Sequence, residues 1–188
     1  VTGVQTCALP IWSNFEEICK HFEDKKQFSI DLLICNNSKA RALNKAKAYG
    51  IKTLLINKES FYKTSSTLDK ILKITPDLIV LAGFLWKIPT KIIDKFPNKI
   101  INIHPALLPD YGGKGMYGSI IHNKVIENNE KETGITIHHV SEQYDSGQII
   151  FQRKISVGDN DTAKTIEEKV HKLEHEYYPK IIESILKK

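Results

Sequence analysis

A chain of 188 residues with 41% hydrophobic side chains can bury one sizeable core and is too short for two ordinary domains, which excludes a multidomain assembly. Its net charge of +5 comes from 27 basic and 22 acidic residues, but Arg41 and Arg153 are the only arginines and the lysines run along the whole chain; a nucleic-acid face would gather Arg and Lys on one side and interleave aromatics, so none is expected. Cys7, Cys19 and Cys35 are odd in number and lack a CxxC spacing, which excludes a disulfide framework and a structural zinc site and fits reduced thiols of a cytoplasmic protein.

In chain order, VTGVQTCALPI opens without an initiator Met, a basic leader or a sustained apolar core, unlike a signal peptide, and does not alternate cleanly as a strand would. SNFEEICKHF then reads as a helix: Ser13 or Asn14 caps it, Glu16 and Glu17 sit in its first turn, and Phe15, Ile18, Cys19 and Phe22 share a face. SIDLLICNN predicts a strand, KARALNKAKAYG a helix ending at Gly50, IKTLLIN a strand, and SSTLDKILKI a helix capped near Ser65 or Ser66. The nearly continuous apolar run PDLIVLAGF predicts a central strand buried on both sides; LIVLAGFLW is strand-sized, short of the roughly 20 residues that cross a bilayer, so no membrane partner is expected. IPTKIIDKF is a short helix and KIINIHP the next strand, and this alternation is the rhythm of a parallel sheet with helices on its faces.

Downstream, MYGSIIHNKVIEN predicts a helix in which Gly118 is a mild defect. GITIHHV and QIIFQRKI predict an antiparallel or edge pair around SEQYDSG, and Thr162 to Lys187 a long helix broken or bent at Pro179. No repeat, low-complexity tract or linker interrupts the chain, so one domain is expected.

Open α/β folds place ligands at the carboxyl edge of the sheet, which is where NIHPALLPDYGG begins. Residues two apart on a strand share a side, so Asn102 and His104 can address one ligand, and Pro105 ends the strand there. A capping Asn and a His satisfying loop carbonyls would leave the same pattern. Asp145 lies in YDSG, where Gly147 permits a tight return, although an Asp in a turn is common. Asn, His and Asp together suffice for acyl transfer, in which a neutral amine attacks a carbonyl, charge develops on oxygen and a proton leaves nitrogen. Neither a GxSxG elbow nor a framed catalytic Cys is present, which favours direct transfer over an acyl-enzyme. The GGKG turn, Gly112 to Gly115, can offer backbone N–H groups and Lys114 to an anion, or can be a solvent turn; it is not a Walker A loop. His21, His122 and His171 fall in helical patterns, His138 and His139 point to opposite faces of their strand, and His175 gains no role from pattern. No metal-ligand set is expected.

NIHPALLP, preceded by DLIVLAGFLWKIP and followed by GITIHHVSEQYDSGQII and KLEHEYYP, resembles the phosphoribosylglycinamide formyltransferases, folate-dependent enzymes of purine synthesis, from about Ser13 to the C-terminus. The resemblance implies a Rossmann-like α/β fold: a mostly parallel twisted sheet with helices on both faces and an antiparallel pair in its C-terminal part. It implies transfer of a formyl group from the co-substrate 10-formyltetrahydrofolate to the amine of glycinamide ribonucleotide, in a cytoplasmic monomer or weak homodimer with small-molecule partners. Asn102, His104 and Asp145 take the catalytic positions, the first two holding the formyl oxygen and the third orienting a water or the histidine. Phe84, Leu85, Trp86 and Lys87, with Val140, Ser141, Glu142 and Tyr144, take those of the folate pocket. Ser13, Asn14, Gly112, Lys114 and Glu174 are the implied contacts to the ribonucleotide.

The beginning departs from that pattern. The family's first strand leads into a G-S-G-S-N phosphate loop, of which only Ser13 and Asn14 remain, after Ile11 and Trp12. Residues 1–12 are therefore expected to be an aberrant, non-native segment, and 13–188 a domain lacking the native first strand. Trp12 puts a large side chain where a phosphate should meet bare backbone N–H groups at a helix N-terminus. Rival readings are a tRNA formyltransferase, a formyltetrahydrofolate hydrolase and a non-catalytic nucleotide-binding module. The first looks two-domain and is at odds with the scarcity of arginine; the second normally carries an added N-terminal domain.

Overall fold

The computed structural model describes residues 2–7 and 12–188, with side chains from Ser13 onward. Among them, β1 (Thr2–Cys7), β2 (Ser29–Cys35), β3 (Lys52–Leu55), β4 (Leu78–Ala82), β5 (Ile100–His104), β6 (Glu132–His139) and β7 (Ile149–Ser156) form one sheet in the order β3-β2-β1-β4-β5-β6-β7. The first five pair in parallel, and β6 and β7 add in antiparallel fashion at one side. The chain steps outward from β1 to β3, then returns to lay β4 against the other side of β1, so strand order reverses at the sheet's centre.

Among the described residues, α-helices connect and cover the strands: α1 (Trp12–Phe22), α2 (Arg41–Ala48), α3 (Ser66–Ile74), α4 (Thr90–Ile93), α5 (Ser119–Glu127) and α6 (Ala163–Leu186). β4 is buried at all five positions, as its unbroken apolar sequence requires of a strand covered on both faces. Leu78 and Val80 face Ile18 of α1, Ile121 of α5 and Ile166, Val170 and Tyr178 of α6. Ile79 and Leu81 face the opposite layer, with Leu68 and Ile71 of α3 and Ile92 of α4. The Tyr178 hydroxyl donates to the Leu81 carbonyl at 2.7 Å and so ties α6 to the end of β4. Burial raises the thiols of Cys19, to about 12, and Cys35, which leaves both unreactive.

Several expectations are corrected. Thr2–Cys7 is a strand despite its poor alternation, because ladders from β2 and β4 on both sides supply its hydrogen bonds whatever its side-chain pattern. The side chains of residues 1–12, and the backbone at 1 and 8–11, lie outside the described residues; with them lie the expected origin of that segment and the fit of the Trp12 side chain. α1 already begins at Trp12, so Ser13 and Asn14 are inside the helix, not caps, and Glu16 and Glu17 fall beyond its first turn. Gly118 precedes α5 at φ +49, where it turns the chain into the helix. α6 runs unbroken through Pro179, which is buried beside Tyr178 and Ile182, and packing on the sheet holds the helix together there. A π-helical turn at Glu59–Lys63, which no pattern announces, buries Phe61 between α3 and the loop after β4.

Candidate active site

Beyond the carboxyl ends of β4 and β5 opens a cavity of about 540 Å3. One wall is the loop after β4, with Phe84, Leu85, Trp86 and Lys87. Phe61 of the π-turn meets the rings of Phe84 and Trp86 at 5.5 and 5.9 Å, and the Tyr62 hydroxyl donates to the Lys87 carbonyl at 3.0 Å, so this wall is buttressed from below. Val140, Ser141, Tyr144 and Asp145 come from the loop between β6 and β7, and Lys114 and Glu174 complete the predicted residues in the lining.

Asn102 and His104 both line the cavity from β5, as their spacing requires. The His104 ring nitrogen Nε2 lies 2.8 Å from the Tyr111 carbonyl oxygen. A carbonyl only accepts, so Nε2 carries the proton and, in the neutral ring, Nδ1 keeps its lone pair. That Nδ1 lies 3.6 Å from Asp145 Oδ2. Burial pushes the His104 imidazole below its ordinary value, and Asp145 and the Tyr111 carbonyl offset this only in part, so the ring is neutral at pH 7.

Asp145 Oδ2 accepts the Gly113 backbone N–H at 2.9 Å, and Oδ1 lies 3.6 Å from His138 Nε2. Burial alone would raise this carboxyl; His138, His104 and the Gly113 N–H together outweigh it and hold the group below the usual carboxylate range. Both imidazole contacts, at 3.6 Å, are ion-pair distances longer than a direct hydrogen bond. His138 in turn donates from Nδ1 to the His139 carbonyl at 2.8 Å, and its Nε2 lies 3.3 Å from Asn102 Nδ2.

Backbone geometry sets this arrangement. Asp145 and Tyr111 both sit in the left-handed region, at φ +52 and +56. The Tyr111 phenol is clamped, donating to Glu130 at 2.6 Å and accepting from Asn128 at 2.7 Å, which holds the carbonyl that orients His104. At Gly147 an added Cβ would stand 1.8 Å from the His139 carbonyl oxygen, so only glycine lets the Asp145 loop approach β6.

Four expected contacts are placed elsewhere. Glu142 is exposed and outside the lining, its place taken by Gln143. Gly112 does not line the cavity: a Cβ there would meet Leu108 at 2.7 Å and Asp145 Cβ at 3.3 Å, so its absence of a side chain serves packing. Ser13 is also outside the lining. Asn14 is buried behind Glu174 and donates to its Oε2 at 2.9 Å. Burial pushes Glu174 up to about 7 against that hydrogen bond. His138, absent from every sequence-based assignment, is the residue missed; the signal that finds it is the β5–β6 register, which sets Asn102 opposite His138. No cluster of three or more His, Cys, Asp or Glu suited to a metal ion occurs among the described residues, and no helix of theirs is long and apolar enough to cross a membrane.

The α/β sheet gathers Asn102, His104 and Asp145 around one cavity, and the chain belongs to the formyl transferase family, whose pattern it matches over residues 11–182. It is 34% identical to the phosphoribosylglycinamide formyltransferase of Bacillus subtilis over 179 residues, covering 93% of this chain and 89% of that one. It is 35% identical to the chloroplastic enzyme of the same name from Arabidopsis thaliana, covering 92% of this chain and 61% of the plant protein's length. The structure of phosphoribosylglycinamide formyltransferase from Bacillus halodurans superposes with a TM-score of 0.87 at 26% identity, over 100% of this chain and 96% of that one. Both relatives are named for a small-molecule acceptor, phosphoribosylglycinamide.

Proposed function

We propose that the chain transfers the formyl group of 10-formyltetrahydrofolate to the amine of phosphoribosylglycinamide, a step of purine synthesis. The observation that carries this reading is the convergence of Asn102, His104 and Asp145, from two separate segments, on one cavity. Its volume lies within the range of roughly 300 to 1,000 Å3 that drug-sized ligands occupy. Phe84, Leu85, Trp86 and Val140 offer apolar surface for a pterin, with backbone groups of the two loops to read its polar edge. When bound, the folate supplies an electrophilic formyl carbon.

The amine needs no activated nucleophile but must lose a proton as it attacks. His104 Nδ1 holds the free lone pair beside Asp145, and it is the atom that takes this proton. The imidazolium so formed is stabilised by the Asp145 carboxylate, and its new Nδ1–H, with the Asn102 amide N–H, meets the formyl oxygen as negative charge grows there. The same proton is then available to the departing nitrogen of the folate, so protons balance over the cycle. At 3.6 Å the His104–Asp145 pair has room to tighten or to take a bridging water. Glu174, held by Asn14, and Lys114 are the proposed contacts to the ribonucleotide, with the N-terminus of α1 receiving its phosphate.

Steady-state formyl transfer tests the proposal, using the chain as it stands and a version in which Pro10→Gly, Ile11→Ser and Trp12→Gly restore the glycine loop. Turnover that requires both substrates, with a lower KM for the ribonucleotide in the restored version, is the expected result. Formate released at the same rate without the amine would point to a hydrolase, and no turnover of the restored version would defeat the enzyme reading.

A further inference from the structure

His138 touches two members of the site from a second strand, β6, and no step above uses it. It is buried, lies directly opposite Asn102 in the antiparallel β5–β6 pair, and sits where the β6–β7 register shifts, a local irregularity of the kind that re-aims a side chain. Its tautomer is set by the backbone: Nδ1–H is committed to the His139 carbonyl at 2.8 Å, so in the neutral ring Nε2 presents a lone pair. Asn102 Nδ2 stands 3.3 Å from that lone pair, and Asp145 Oδ1 stands 3.6 Å from the same atom.

A carboxamide presents a donor edge and an acceptor edge, and which edge faces a ligand depends on what holds the other atoms. With Nδ2 held by His138, one N–H of Asn102 is committed and the second stays on the donor side. Loss of that acceptor lets the amide rotate by half a turn and offer Oδ1, which repels a developing oxyanion. We propose that His138 is a positioning residue for formyl transfer: its Nε2 lone pair fixes the donor orientation of the Asn102 amide. The Asp145 loop supports this arrangement, because the His139 carbonyl that sets the His138 tautomer is also the group that Gly147 must pass.

This inference rests on the proposed function, and its test separates the two. His138→Leu removes the acceptor at similar size; His138→Gln restores one in its side-chain carbonyl. The Leu variant should lose kcat at least thirtyfold with KM for the folate within threefold, and the Gln variant should regain at least fivefold of that loss. In an Asn102→Ala background the same His138→Leu change should alter kcat by less than twofold, since the group it acts through is gone. An equal loss in both backgrounds, or an unchanged kcat in the Leu variant, overturns the assignment. A nitrogen-15 NMR spectrum of the unsubstituted protein reads the same bond without turnover. His138 Nε2 should resonate as an unprotonated nitrogen and shift on Asn102→Ala, whereas a proton on Nε2 with a bare Nδ1 contradicts the proposal. Should the chain show no formyl transfer at all, the proposed function falls while the NMR result still decides the positioning.

Discussion

Asp145 occupies a left-handed conformation that costs a non-glycine residue on the order of 1 kcal/mol or more. Its carboxylate, in return, reaches the Gly113 N–H and two imidazoles at once, a placement that an extended loop residue would miss. Glu174 carries the opposite electrostatic burden. Buried and, among the described residues, bonded to the neutral amide of Asn14, it binds its proton at about 7 in the folded chain against 4.5 when unfolded. Between those values the folded state holds more protons, so stability falls as pH rises through the window, by roughly 2 to 3 kcal/mol from pH 5 to pH 8. Glu174→Gln keeps an acceptor for Asn14 and removes the titration. Urea unfolding at the two pH values should show the variant losing less stability than the parent by about that amount. Identical pH dependence in both proteins would mean that Glu174 is ionised in the folded state.

At the scale of elements, the loop between β6 and β7 is a rigid support for Asp145, because Gly147 passes against the His139 carbonyl. Gly147→Ala should push that loop away from β6, lowering kcat more than tenfold and stability by about 1 to 3 kcal/mol, as read by kinetics and thermal melting. Unchanged kcat would show that Asp145 tolerates displacement. Elements governed by local pattern were legible in the sequence: the alternation of strands and helices, the doubly buried β4, and Asn102 with His104 at a strand end. What was not legible depended on neighbours. Thr2–Cys7 becomes a strand through two flanking ladders, and α6 carries Pro179 because its packing outweighs one missing hydrogen bond. His138 escaped notice because a histidine's meaning there lies in the cross-strand register, which links residues 36 apart in sequence. Glu142 and Gln143 exchanged places for a simpler reason: in an irregular loop, side-chain direction has no period to follow.

Across the whole molecule, the order β3-β2-β1-β4-β5-β6-β7 brings the loops after β4 and β5 to one rim, where open sheets place their ligands, and the loop after β6 reaches the same cavity. The parallel strands aim Asn102 and His104 at that rim, and antiparallel β6 sets His138 opposite Asn102, with Asp145 in the loop that follows it. We read these groups as one unit acting on one migrating carbon, with His104 taking the proton of the amine and the Asp145 carboxylate stabilising the imidazolium. Groups that work in series fail together, so their substitutions are far from additive. The most direct test is kcat for formyl transfer in His104→Ala, Asp145→Ala and the double variant of the glycine-loop-restored protein. Each single change should lower kcat by about 10² to 10³, and the double variant should fall no more than threefold below the worse single one; a double variant in which the two losses multiply would show that the imidazole and the carboxylate act independently.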